Sequence, residues 1–253
     1  MKTVALALVI ALTAWAPAIA YTDEQQQELQ IGQQVYQQLA KKGEILTNSP
    51  YYKVLNPIAA RIKRVADPQY FVPFHFILVH EKDPNAFAVP GGGVYVTDSL
   101  MHFVHNKEEL AGVLCHETSH DIHHDVMNLY AKDQRLSLYA TGLAILFGGG
   151  GSQIANTLIN LAANMESLHF SRAVEHNADY KGAYTCAQAD LNPWGMVWLM
   201  QQFEAQPTSN PPEFLSDHPS DSHRVGALED EFHADPATFG RFNPNIASAT
   251  PLR

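Results

Sequence analysis

Cysteine is nearly absent: Cys115 and Cys186 are the only two in 253 residues. Neither has a second cysteine at finger-like spacing, so a cysteine-built zinc site is excluded. Only one pairing is open to them, and an exported protein can keep a disulfide. The sequence leaves open whether they meet. Charge is scarce too, at 17% of residues, against about 25% in ordinary soluble proteins. The positive sign is scarcer, with 16 Lys and Arg against 26 Asp and Glu and a net charge of −10. No Lys/Arg cluster follows a helix or strand pattern, which argues against a nucleic-acid partner. No apolar run reaches the roughly 20 residues that cross a bilayer. No internal repeat appears at a period of about 20–50 residues.

Hydrophobic residues, at 46%, exclude global disorder, and the length suffices for one sizeable core. Thirteen histidines are the first hint of a metal or a titrating site. The N-terminus reads as an export leader: Lys2, an apolar run over 4–15, and the small-x-small motif Ala18-Ile19-Ala20. Cleavage after Ala20 would leave 21–253 as a single domain. The other reading, an uncleaved anchor, needs a longer run. With no cysteine near the cleavage point, a lipid anchor there is not available.

The patterning predicts helices over 21–42, ended by Gly43, and over 54–66, closed by Asp67-Pro68. Short strands are expected over 74–80, 86–89 and 94–97. Asn106 with Glu109 three residues on is a capping box. The helix it opens should run past His124, to about 129. Residues 136–147 and 154–165 are apolar and flank four glycines, Gly148 to Gly151. They form either a buried helical hairpin or a surface that meets a membrane or a dimer partner. Further helices are expected over 168–188, over 193–203 with Pro193 at N1, and over 220–231. Between them 206–219 is a long Pro-rich loop, of a kind that often carries function. The tail after Pro236 reads as irregular.

Within the Asn106 helix stands His116-Glu117-Thr118-Ser119-His120. Residues i and i+4 share a helix face, so the two imidazoles can grip one Zn²⁺. Glu117 is then offset beside the metal, where a general base for its water belongs. Random placement of the His and Glu of this chain gives roughly 0.03 such matches. Zinc needs a third protein ligand, and Glu175, 55 residues after His120, is the best candidate. Asp179 lies one turn beyond it, placed to accept the other ring N–H of a liganding histidine. Glu175 could instead pair with Arg172 on a solvated face.

Together with Ser171-Arg172-Ala173-Val174-Glu175-His176-Asn177-Ala178-Asp179 and the upstream Asn85-Ala86-Phe87-Ala88-Val89-Pro90-Gly91-Gly92, this motif resembles the M48 family of zinc metallopeptidases. The likeness covers roughly 50–235 and is strongest to exported members. It implies an α+β, mainly helical, zincin-like domain with a small β-sheet beside the His-Glu-x-x-His helix. It also implies one Zn²⁺ held by His116, His120 and Glu175, with Glu117 as the catalytic glutamate and Asp179 behind a ligand. Departures from various members are expected: no membrane-spanning helices, no C-terminal tetratricopeptide domain and no lipobox cysteine. Asp121 to Asp125 is more acidic than usual.

His218 and Arg224 also resemble family positions. A histidine in such a loop occupies the fourth zinc position in one relative. Here His218 could block the metal and keep the enzyme latent, stabilise an oxyanion, or be an exposed loop residue. Arg224 could pair with a carboxylate behind the site or assist the transition state. The strand through Gly92, Gly93, Val94 and Tyr95 could lend an extended peptide its edge, with the glycines allowing close approach; otherwise it is a plain turn. The implied activity is endopeptidase cleavage of unfolded or misassembled proteins, in envelope quality control. The periplasm is the expected location and secretion the second choice. The competing expectation is a non-proteolytic periplasmic chaperone or assembly factor binding clients in the same cleft.

Overall fold

The computed structural model describes residues 20–132, 170–206, 214, 218 and 222–252. The leader read at 1–20, but for Ala20, and the apolar pair at 136–165 lie outside them, as does most of the loop 206–219. Among the described residues no helix is long and apolar enough to cross a membrane.

Helix α1 (Asp23–Lys42) opens on a Thr22–Gln25 capping box and ends at Gly43, whose φ of 79° is the left-handed C-terminal cap. It lays Ile31, Val35 and Leu39 on a small apolar cluster with Phe87 and Tyr95. Helix α2 (Tyr52–Ala66) buries Leu55, Ile58 and Ile62 in the main core. Then come β1 (His75–Val79), β2 (Ala86–Val89), β3 (Gly93–Thr97) and the short α3 (Asp98–Phe103). The sheet order is β1-β3-β2, with β1 parallel and β2 antiparallel to β3.

That order corrects one expectation. The strand of Gly93, Val94 and Tyr95 is central and paired on both sides, so it has no edge to lend a peptide. The neighbouring glycines admit the protein's own backbone instead. A Cβ on Gly91 would stand 3.2 Å from Glu28 O of α1, and one on Gly92 3.0 Å from Pro73 O before β1. Both have positive φ, 95° and 85°, which glycine adopts without steric cost. The outer side of the sheet next to the motif helix is β2, packed against α4 (Lys107–Ile122).

Helix α4 is the axis of the domain. Half of the expected box forms: Asn106 Oδ1 accepts from Glu109 N at 2.8 Å, but the Glu109 carboxylate accepts from His105 N at 2.7 Å and from the Asn106 side-chain amide at 2.7 Å rather than from Asn106 N. Every residue from Glu109 to Asp121 is buried. Helices α5 (Arg172–Gln188) and α6 (Trp194–Glu204) pack along it. Cys115 of α4 and Cys186 of α5 form a disulfide, with Cα atoms 5.8 Å apart. It closes a loop of 71 residues, for which chain entropy gives about 4 kcal/mol of stabilisation. Urea unfolding with and without a reductant should show a loss of that size.

Three helix expectations are corrected. Helix α4 stops at Ile122. His123 caps it, His124 takes a left-handed φ of 55°, and helix resumes over 125–132. Pro193 is the N-cap of α6 rather than its first residue. The tail is irregular only in part, because Pro236 starts a short helix instead of ending one. After α7 (Ser222–Ala234) come α8 (Pro236–Phe239) and a stretch anchored on α4. There Thr250 bonds both carboxylate oxygens of Glu108, Lys107 N donates to Thr250 O at 2.9 Å, and Leu252 is buried.

Candidate metal centre

Two imidazoles project from the same face of α4. His116 Nε2 and His120 Nε2 are 3.2 Å apart. Glu175, from the first turn of α5, brings Oε2 to 3.5 Å of His116 Nε2 and Oε1 to 3.6 Å of His120 Nε2. His218 completes the group: its Nδ1 lies 3.3 Å from His116 Nε2 and 3.0 Å from Glu175 Oε1. All four side chains are buried, and their ligand atoms fall within 4.8 Å of one another. A tetrahedron with arms of about 2.0–2.1 Å has edges of about 3.3–3.4 Å. The closest separations, 3.0–3.6 Å, are those of donors gathered around one small divalent ion, and the whole group stays within 4.8 Å. Facing imidazole nitrogens cannot all present lone pairs to one another, so such a centre calls for a cation or shared protons.

Each ligand group is oriented from behind. His116 Nδ1 is 3.0 Å from Asp179 Oδ1, one turn along α5 from Glu175. His120 Nδ1 is 2.9 Å from Asp125 Oδ2. The break at His123–His124 makes that contact, because position i+5 of an unbroken helix would point elsewhere. Phe170 stacks on His120 at 4.4 Å between centroids, and Phe214 on His218 at 4.7 Å. Arg224 grips Asp179 through Nε and Nη2, both at 2.7 Å, and reaches Glu175 Oε2 through Nη1 at 2.9 Å. Its guanidinium thus pairs with carboxylates of α5, the first of the two readings the sequence left open for Arg224. Its work here is to hold two carboxylates in place.

Glu117 lies beside the donors rather than among them. Its Oε2 accepts the N–H of Ala88 on β2 at 3.0 Å, and its Oε1 is 3.4 Å from His218 Nε2. His218 therefore touches both the donor cluster and Glu117, and the exposed-loop alternative for it is excluded. Next along α4, Asp121 is buried and its carboxyl is pushed well above the usual range, by burial and then by the charges of Glu28 and Glu117. Glu28 of α1 in turn accepts the Tyr70 hydroxyl and pairs with His124 Nδ1 at 2.8 Å. This buried acidic group, seen in the sequence only as extra charge after the motif, ties α1 to the end of α4.

Electrostatics inside the cluster are divided. Burial works against a charged His116, but Asp179 and then Glu175 outweigh it and raise the imidazole to about 10. Burial lowers His218 to about 4 against the pull of Glu175. Glu175 is held far below the usual carboxylate range: its burial is overcome by His218 and His116. Without metal, His116 thus keeps its proton at pH 8, while His218 stays neutral down to acid pH. Metal uptake must expel the His116 proton. Calorimetric Zn²⁺ titration at pH 8, repeated in buffers of different ionisation enthalpy, should report about one proton released per ion. An imidazole at its ordinary value would release almost none.

Asp125, Phe170 and Phe214 were not singled out in the sequence. Asp125 carried a weak signal, as a carboxylate close to a liganding histidine. The two phenylalanines carried none, since stacking follows from how distant segments meet.

A mainly helical domain with a small sheet beside a buried His-Glu-x-x-His helix, and a carboxylate brought from a second helix, defines a zincin-like centre of metallopeptidase type. Residues 52–232 match peptidase family M48, and the chain belongs to that family. It is 26% identical over 242 residues to the beta-barrel assembly-enhancing protease of Escherichia coli, covering 86% of this chain and 49% of that protein. It is 25% identical over 221 residues to the metalloprotease LoiP of Escherichia coli, covering 85% and 84%. It is 29% identical over 155 residues to the mitochondrial metalloendopeptidase OMA1 of Schizosaccharomyces pombe, covering 60% and 45%. The chain spans about half the length of the first of these relatives.

Proposed function

We propose that this protein is a zinc-dependent endopeptidase of the bacterial periplasm that cleaves unfolded or misassembled envelope proteins and is held latent by His218. The observation that carries it is the convergence of His116, His120, Glu175 and His218 on one point, with Glu117 adjoining. Three imidazoles and one carboxylate gathered within 4.8 Å are a donor set that suits zinc. Zinc held there would lower the pKa of a water and polarise a peptide carbonyl.

The chain's own residues do the rest. Glu117, fixed by the Ala88 N–H, takes a proton at its carboxylate and passes it to the leaving amine. Asp179 and Asp125 keep His116 and His120 in the tautomer that presents Nε2 to the metal. Arg224 keeps Glu175 and Asp179 from turning away. With β3 enclosed, the strand next to the site is β2, and an extended substrate would lie along its Ala88 side. His218 fills the fourth donor position and contacts Glu117, so it must withdraw before a substrate carbonyl can enter. The leader read at 1–20 supports the periplasmic setting, and the likeness to a beta-barrel assembly-enhancing protease supports envelope substrates.

The test is metal content together with cleavage of an unfolded protein such as casein. Zinc-loaded, folded protein that never cleaves it, with or without His218, would contradict the reading and favour a client-binding assembly factor.

A further inference from the structure

The two ligand-bearing helices are joined at a single crossing. Gly182 of α5 lies so close to α4 that a Cβ there would stand 3.0 Å from both His116 N and His116 Cα. One turn further along α5, Cys186 is bonded to Cys115, the residue before His116. One and two turns in the other direction, Asp179 and Glu175 face His116 from the same helix. Helix α5 is thus pinned to α4 at Cys186, rests on His116 at Gly182, and carries a metal donor at its far end. Both cysteines are fully buried.

We propose that the Cys115–Cys186 disulfide is a positioning element of the metal centre, and that the centre holds its ion tightly only in the disulfide form. The inference rests on the zinc reading above. Two thiol sulfurs cannot stand as close as two bonded ones, so reduction drives α4 and α5 apart where they are joined. At Gly182 and His116 the two backbones already touch, so α5 can only tilt on that contact or move off it, and either motion shifts Asp179 and Glu175. His116 and His120 stay with α4. The donor set is therefore split between the two bodies that move, and metal geometry tolerates only a fraction of an ångström. The redox step balances with a dithiol as reductant. Two electrons and two protons pass to the Cys115–Cys186 bond, leaving two thiols, and the dithiol closes to its own disulfide. Burial of the bond means that a reductant reaches it only when the crossing opens.

The experiment compares three forms of the full chain at a temperature well below their unfolding midpoints, with circular dichroism confirming the fold. They are the oxidised wild type, the Cys115→Ala/Cys186→Ala double variant, and wild type reduced with a dithiol and freed of it by anaerobic desalting. Zn²⁺ is titrated against a chromophoric chelator, and Co²⁺ reports the coordination geometry through its visible bands. The expected result is an affinity loss of at least about 10-fold in both disulfide-free forms, with weakened Co²⁺ bands, and recovery when the reduced wild type is reoxidised. Should the double variant fail to fold, the reduced and reoxidised wild type decides alone. Reduced, folded protein that binds Zn²⁺ within about twofold of the oxidised form overturns the proposal. So does a reduced chain that is unfolded throughout, because the bond would then hold the whole domain rather than the centre. Oxidised wild type that binds no Zn²⁺ sinks the zinc reading itself, a different outcome from equal binding.

Discussion

Zinc-loaded His218→Ala protein is expected to cleave casein at least about 10-fold faster than the wild type. Wild-type His218 sits 3.3 Å from His116 Nε2 and 3.0 Å from Glu175 Oε1, in the position where a fourth ligand closes a zinc site. Its ring is also 3.4 Å from Glu117. On the proposed reading, two requirements for hydrolysis, an open metal position and a free base, would be blocked by this one side chain. If the open form is a minor state of about 10% or less, deleting the ring recovers at least the factor that closure withholds. The three remaining donors are the number that catalytic zinc sites use, so the variant should keep its metal. The ring lies against Phe214, and its loss leaves a cavity under the loop. Casein cleavage and zinc content, measured on the same sample, separate activation from metal loss. An unchanged rate with metal retained would remove latency from the account.

The second large effect is a loss. Glu117→Gln, made in the His218→Ala background, should lower the rate by about 10²–10⁴-fold while leaving one zinc per chain. Glutamine keeps the shape of the side chain and an oxygen to accept the Ala88 N–H, so position and fold are preserved. What it loses is the ability to take a proton. Glu117 is not among the four clustered donors, so metal content should not change. Retained cleavage would assign the base elsewhere; lost metal would make Glu117 a ligand.

Much of this site was legible because its chemistry demands fixed spacing. The pair His116 and His120 needs a helix, and Asn106 with Glu109 announced one with a matching start. Glu175 and Asp179, one turn apart, had the spacing of a ligand and its support. What stayed hidden depends on contacts between distant segments. Ile122 and Val126 continue the apolar pattern of α4, so nothing local marks the break at His124; Asp125 reaching back to His120 accounts for it. Strands 86–89 and 94–97 are both short and apolar, and neither tells which is central. That order is set when β1 pairs with β3, and it moves the site's strand from β3 to β2. Pro236 reads equally as a stop or as a first helical residue, and packing of the tail on α4 goes with the second. His218 carried three readings in the sequence because a loop has no period from which its side-chain direction could be inferred.

The most direct test is a crystal structure of Zn²⁺-loaded protein with anomalous data at the zinc edge. The account predicts one ion per chain, at about 2.0–2.1 Å from His116 Nε2, His120 Nε2 and a Glu175 oxygen, with His218 Nδ1 as the fourth ligand. An empty cluster in zinc-saturated crystals, or an ion bound away from Glu175, would contradict it.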